Sequence, residues 1–525
     1  MNSRNKRTGI LFIFIIYIRT GRASGLNGFM SEEKYDLCII GAGPSGYAAA
    51  MRAIDFGKKV LLVEKDKVGG AGLFNGALSS KALWECSNRY ASTRKDLADK
   101  GIPYSLNFAE VRKTLDAAIF ERKFQLNIHL KLLQETTHTR LLHFEKGEAI
   151  ITGPNSVSIR KPSGEKVIQT DFILVATGSR PRQLEAMPAD EKIVFTSDGI
   201  ESISEFPESL VIVGAGVIGC EYATIFSNFG RTKVFLIDKA DRILPFEDED
   251  LARLVASNLE ENGVCIHRNA SLGRMEVKNG QVEYELVYGD GSREVLVVSK
   301  ALFSIGRIPN TENLGLSEAG VVLDKRGYVQ AEDTQTAVPS IYATGDITAN
   351  IALVNVAERE GRHAVVKMFG PPVKPLVYRN ISTIMFLNPE VAAAGINEQD
   401  AIAKNIPVRI AKIDYSCIAR AIAMRKTNGF FKLIVTDDED MRILGMRAIG
   451  EHASSAIQAE ALLIHMNKGI EELGNMMHPH PSITEGVQEC ARMLLGKPVF
   501  KSSVFRDKLQ CYRCSGGVCT PLENL

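Results

Sequence analysis

Neither sign of charge prevails in this sequence: 63 Lys and Arg stand against 62 Asp and Glu, a net charge of +1 over 525 residues. Without a global field, binding to nucleic acid or to an anionic membrane surface is not expected. Cysteine, at nine residues, is too sparse for a disulfide scaffold, so a reducing compartment and a cytoplasmic location are expected. Six of the nine (Cys38, Cys86, Cys220, Cys265, Cys417 and Cys490) are scattered and read as small apolar residues. The apolar run at 10–18 is too short to span a bilayer as a helix. Preceded by Arg4, Lys6 and Arg7, it has the look of a secretory signal; a start placed too early, with Met30 the true one, is the reading we favour for the extension 1–29. The last absence is local. Residues 69–81, GGAGLFNGALSSK, contain no cysteine, no histidine and no carboxylate.

What is present is ordinary for a folded chain, with 45% apolar and 24% charged residues and enough length for several domains. Two stretches carry most of the information. KYDLCIIGAGPSGYAAAMRAIDFGKKVLLVEK reads as strand, glycine-rich turn, helix and strand, with Gly41, Gly43 and Gly46 in G-x-G-x-x-G spacing and Glu64 closing the second strand. The first glycine makes the turn, the second lets backbone approach a pyrophosphate, and the third lets helix and strand pack closely. The helix N-terminus attracts phosphate charge, and the acid accepts hydrogen bonds from a ribose diol. The pattern recurs in SLVIVGAGVIGCEYATIFSNFGRTKVFLIDK, with Gly214, Gly216, Gly219 and Asp238. Two complete units imply two dinucleotides, and the economical pair is FAD with a nicotinamide. Asp238 favours the free 2′-hydroxyl of NAD(H), although Lys239 and Arg242 stand close by in sequence.

The expected architecture is α/β, with two Rossmann-like dinucleotide-binding domains and a C-terminal α+β domain. Residues 30–181 and 306–370 form the FAD-binding domain, the second part returning through SIYATGDI, where Asp346 is placed to bond a cofactor hydroxyl. Residues 182–305 form the inserted NAD-binding domain, 370–376 (GPPVKPL) a linker, 377–500 an α+β domain, and 501–525 a cysteine-containing tail.

This order of motifs resembles the pyridine nucleotide–disulfide oxidoreductases, and within them the dihydrolipoamide dehydrogenases and soluble transhydrogenases. The resemblance implies that 377–500 is a dimerisation domain and the protein a homodimer. It implies that His480 and Glu485, in HPHPSITE, are an acid–base pair completing the other subunit's active site. It implies that Lys81 lies near the flavin and pairs with Glu221. It also exposes a departure: the family's C-x4-C redox pair falls on Gly72 and Ala77, while Gly69, Gly70, Gly76, Ser80 and Lys81 are kept. Thiol exchange at this loop is therefore excluded. The leading expectation is transfer from NADH through the flavin to a small-molecule, non-thiol acceptor such as a second nicotinamide or a quinone-like molecule. His480 and Glu485 then serve either as a base or as a purely structural pair. A disulfide reductase using tail cysteines Cys514 and Cys519, across a flexible Ser-Gly-Gly-Val with Arg513 favouring a thiolate, is one alternative. A flavin-binding pseudoenzyme is the other. With only three tail sulfurs (Cys511, Cys514, Cys519) and no nearby histidine, no metal site is expected.

Overall fold

The computed structural model describes residues 33–74, 76–135 and 140–522. The extension 1–29 lies outside the described residues. The strands Lys34–Ile40 and Val60–Glu64 are short apolar runs, and they pair in parallel with Leu142–Lys146 on one side and Gly164–Val175 on the other. Leu37, Ile39 and Leu62 are wholly buried on one face against helix residues such as Ala49, Ala53 and Ala364, whereas Cys38, Leu61 and Val63 on the other face pack with Ile151, Val157, Leu314 and Val321 from strands and loops. The hairpin strands Glu148–Gly153 and Ser156–Lys161 extend it antiparallel. The strand Ile341–Ala343, far along the chain, returns to pair in parallel with Gly164–Val175. Its following helix, Val354–Phe369, lies against Pro44–Asp55 so closely that a Cβ at Gly361 would stand 2.3 Å from the Ser45 carbonyl oxygen.

Between these halves a second parallel sheet runs in the order Cys265–His267, Lys233–Ile237, Ser209–Val213, Lys300–Phe303, Val194–Thr196. An antiparallel layer, Ala270–Lys278, Gln281–Tyr288 and Arg293–Val298, packs beside it. The helix Val217–Phe229 is apolar nearly all round, and every residue from Gly219 onward is buried. It reaches that state by packing with Leu83, Trp84 and Tyr90 of the helix Ala77–Ala98, and with Leu387 and Phe430 from the C-terminal part, in one shared core.

The C-terminal sheet is antiparallel: Ser382–Met385, Val391–Gly395, Ile443–Ile449, Phe430–Thr436, Val408–Asp414, Leu509–Ser515, Val518–Pro521. Its last two strands correct the expectation that the Ser-Gly-Gly-Val segment of the tail is flexible. Leu509 and Cys511 pack on one face among Ile413 and Ala411, and Cys514 on the other against Val408 and Ile410. Gly516 and Gly517, both at positive φ (57° and 79°), make the two-residue turn. Buried Lys432 fastens this sheet to the second unit, with Asp248, Asp250 and Glu398 each at 2.8 Å. Among the described residues, no helix is long and apolar enough to cross a membrane.

Candidate functional site

The two glycine turns are copies of one device. Gly41 and Gly214 both take positive φ (105° and 102°), where a Cβ would strike the carbonyl oxygens of Ala176 and Ser304 at 2.4 and 2.6 Å. A Cβ at Gly46 or Gly219 would lie 1.9 Å from the carbonyl oxygen of Gly41 or Gly214. At Gly43 and Gly216 the opposite holds, since nothing lies within 4 Å. Each opens a helix whose first turn has no side-chain cap and no acidic residue. The positive helix end is thus left for an anion. Glu64 closes the first cradle, accepting from Ala42 and Asp66 N–H at 2.7 Å each. Asp238 closes the second, accepting from Ala215 N–H at 2.7 Å and Ala240 N–H at 2.9 Å. The open Cβ positions, uncapped helix ends and strand-end acids fit two dinucleotides. Arg242 does not reach this acid's ribose side as a free cation, because its guanidinium donates to the carbonyl oxygens of Glu247 and Pro245.

The loop that lacks sulfur lies over the first cradle. Gly69 N–H donates to the Ala42 carbonyl, and a Cβ at Gly70 would lie 3.2 Å from Gly43 Cα. Gly72, in the short helix Gly70–Leu73, faces the Pro44 ring: an added Cβ would stand 2.6 Å from Pro44 Cγ. Ala77 opens the long helix Ala77–Ala98. One turn on, Lys81 Nζ is 2.9 Å from Glu221 Oε2 and 3.2 Å from Oε1, with the Phe386 ring 4.9 Å away. Glu221 also accepts from Phe386 N–H, so three parts of the chain meet at one buried carboxylate.

Asp346 accepts from Ser179 Oγ at 2.8 Å at the mouth of the returning strand. Beside it the sequence reading missed Glu360. This carboxylate is buried, takes Gly345 N–H at 2.7 Å, and bonds Tyr378 and Asn350. Burial pushes its pKa up against those bonds, with Asp346 adding to the rise. A lone Glu within an amphipathic helix carries no sequence signal of that position.

His480 and Glu485 come together, with Nδ1 2.8 Å from Oε1. Burial works against the Glu485 charge, but Ser482 N–H and His480 outweigh it and hold the carboxyl below the usual range. The imidazole side chain is 70% exposed on this chain. Cys514 and Cys519 are joined in a disulfide that closes the tail hairpin. Arg513 points away from Cys514 along the strand and binds Asp437 at 2.9 Å, so it promotes no thiolate. Cys265, expected in a core, is exposed.

Comparison with known proteins agrees with this geometry. The profile of the pyridine nucleotide-disulphide oxidoreductases matches residues 35–361, and that of their dimerisation domain matches 381–491. A dihydrolipoyl dehydrogenase of Bacillus subtilis (strain 168) is 33% identical over 479 residues, covering 89% of this chain and 99% of the relative. One from Geobacillus stearothermophilus is 33% identical over 466 residues, covering 88% and 96%. The crystal structure of LpdA from Mycobacterium tuberculosis matches with a TM-score of 0.79 at 25% identity, over 87% of this chain and 99% of that one. The HOCl-induced flavoprotein disulfide reductase RclA from Escherichia coli shares the fold, with a TM-score of 0.77 at 23% identity over 88% and 100%.

The chain belongs to the pyridine nucleotide-disulphide oxidoreductases. It is an enzyme of the dihydrolipoamide dehydrogenase-like class, an FAD-dependent NAD(P)H oxidoreductase of a family whose cofactors are FAD and NAD(H), and its dimerisation domain supports a homodimer.

Proposed function

We propose that this enzyme takes electrons from NADH and delivers them to a small non-thiol acceptor, a quinone-like molecule or a second nicotinamide. The observation that carries the reading is the loop 69–81, which has no sulfur and, at Gly72, no room for one beside Pro44. FAD, when bound, supplies the two-electron chemistry between donor and acceptor. Gly41, Gly43, Gly46 and Glu64 would hold its pyrophosphate and ribose, with Asp346 on a further hydroxyl. Gly214, Gly216, Gly219 and Asp238 would hold NADH. Lys81, held by Glu221, would place a cation where negative charge develops on reduction, and the buried carboxylate would keep that cation from swinging into solvent.

The retained histidine gains a purpose with such an acceptor. Glu485 takes the Nδ1 proton of His480 in a hydrogen bond, so Nε2 is the atom that exchanges a proton with a neighbouring group. Quinone-like acceptors consume protons as well as electrons. We assign His480, exposed on its own chain, to deliver one into the site of the other subunit. The tail reading has less support, because the Cys514–Cys519 hairpin is stitched along the strand Val408–Asp414. Anaerobic NADH should bleach the FAD-loaded protein without a long-wavelength thiolate band, and a soluble quinone should restore the colour. Turnover of lipoamide at the rate of the quinone would defeat the proposal.

A further inference from the structure

The exposed thiol of Cys265 heads a chain of four polar side chains on the edge of the second unit. Cys265 and His267 lie two apart on the edge strand Cys265–His267, so both project from one face, and the Phe235 ring stacks beneath the imidazole. Cys265 Sγ is 3.4 Å from His267 Nε2, His267 Nδ1 is 2.7 Å from Tyr288 Oη, and Tyr288 Oη is 2.7 Å from Glu294 Oε2.

The protons in this chain can be placed by elimination. An ionised Glu294 only accepts, so the single Tyr288 hydroxyl proton goes to it. Tyr288 oxygen must then accept from His267, which puts the imidazole proton on Nδ1. Nε2 is left with its lone pair toward the Cys265 S–H. The protonation states agree. Burial lowers the His267 pKa against the pull of Glu294, so the ring is neutral at neutral pH. Burial first, then Glu294, pushes the Tyr288 phenol up to about 12. Burial, Glu294 and Glu260 raise the Cys265 thiol against Lys233, so it rests protonated and needs a base to react. A second observation points to the same spot. The Tyr284 hydroxyl is buried, has no hydrogen-bond partner among the described residues, and has Cys265, Glu294 and Tyr288 as its electrostatic neighbours.

We propose that Cys265 is a thiol modification site that exchanges with small disulfides, with His267 as its general base. The Cys265 S–H proton passes to His267 Nε2 as the sulfur attacks one sulfur of a disulfide RSSR. A Cys265–SR bond forms, the RS–SR bond breaks with its electron pair on the leaving thiolate, and that thiolate takes the proton from Nε2 to depart as RSH. One thiol and one disulfide enter, and one of each leaves. The site stands one hydrogen bond behind the second cradle, since the His267 carbonyl oxygen accepts from Asp238 N–H at 3.0 Å.

The test uses the full-length protein and oxidised glutathione, across roughly pH 6 to 9, with mixed disulfides located by mass spectrometry of peptides. Cys265 should react about tenfold or more faster than the half-buried Cys86 and Cys417 at neutral pH. His267→Gln should lower that rate by about tenfold and leave a profile that climbs only toward alkaline pH. Tyr288→Phe, which removes the acceptor holding the Nδ1 proton but keeps the ring packing, should lower it in the same direction. Equal Cys265 rates in the parent and in whichever of the two variants folds, or modification of Cys417 as fast as of Cys265, overturns the proposal.

Discussion

Lys81 Nζ and Glu221 Oε2 stand 2.9 Å apart, although 140 residues separate them in the chain. The carboxylate is buried and the ammonium mostly so, and Phe386 N–H also donates to Glu221. The pair therefore joins the first nucleotide unit, the second and the C-terminal domain at one point.

Lys81→Met should leave a buried charge short of its partner and cost about 2 kcal/mol, less than a fully buried pair because the lysine is partly exposed. Glu221→Gln, which keeps the Phe386 bond, should cost less. Urea unfolding orders the two variants, and NADH bleaching should slow in both if Lys81 serves the flavin.

Restoring the two cysteines should not restore a disulfide reductase. Gly72→Cys forces a Cβ within 2.6 Å of Pro44 Cγ, and the proline ring at the start of its helix cannot rotate aside. A cost of about 1–3 kcal/mol is expected. Ala77→Cys alone should be close to neutral. Thermal unfolding of the single and double variants, with thiol counts after mild oxidation, checks this.

Asp238 should set the choice of nicotinamide. It already accepts two N–H groups of the cradle and would repel a 2′-phosphate, while Arg242 is occupied by backbone carbonyls. Asp238→Ala should raise the KM for NADH by about tenfold or more, the loss expected for a charged hydrogen bond. Steady-state kinetics with NADH and NADPH measures both. A better KM for NADPH in the parent would place the selectivity elsewhere.

Stability should fall as pH rises toward neutrality, through Glu460. Burial lifts its pKa from 4.5 to about 7, opposed only by its own backbone N–H, and Oε2 has no hydrogen-bond partner among the described residues. A raised carboxyl pKa means that the folded state holds the proton more tightly than the unfolded state. The contribution is therefore full below about 4.5 and lost by about 7, up to about 3 kcal/mol. Glu460→Gln should flatten this part of the profile. Denaturant unfolding of parent and variant at several pH values checks the slope.

The nucleotide units, the acids Glu64 and Asp238 and the missing sulfurs were legible in the sequence because they depend on local rules. A glycine turn, its helix and its strand-end acid fall within a few dozen residues, and backbone sterics tie them together. The Lys81–Glu221 and His480–Glu485 pairs were available only through resemblance, since no local rule links residues 140 apart in the first, and the second, five apart, straddles a Pro-Ser-Ile-Thr segment with no helical or strand period to join its ends. The order of the tail is not legible in the sequence, because Ser-Gly-Gly-Val on its own reads as slack. The same residues are a hairpin turn once Leu509, Cys511 and Cys514 find apolar partners on both faces of a sheet edge.

The sequence by itself determined two complete dinucleotide-binding units and a loop at 69–81 with no sulfur. Only the tertiary structure decided that Pro44 closes the space at Gly72, that Glu360 lies beside Asp346, and that Cys265 faces His267 rather than a core. The reason is the range of the forces involved. Turn geometry and helix-end charge act between neighbours in sequence, whereas burial and hydrogen-bond partnership depend on which distant segments pack together.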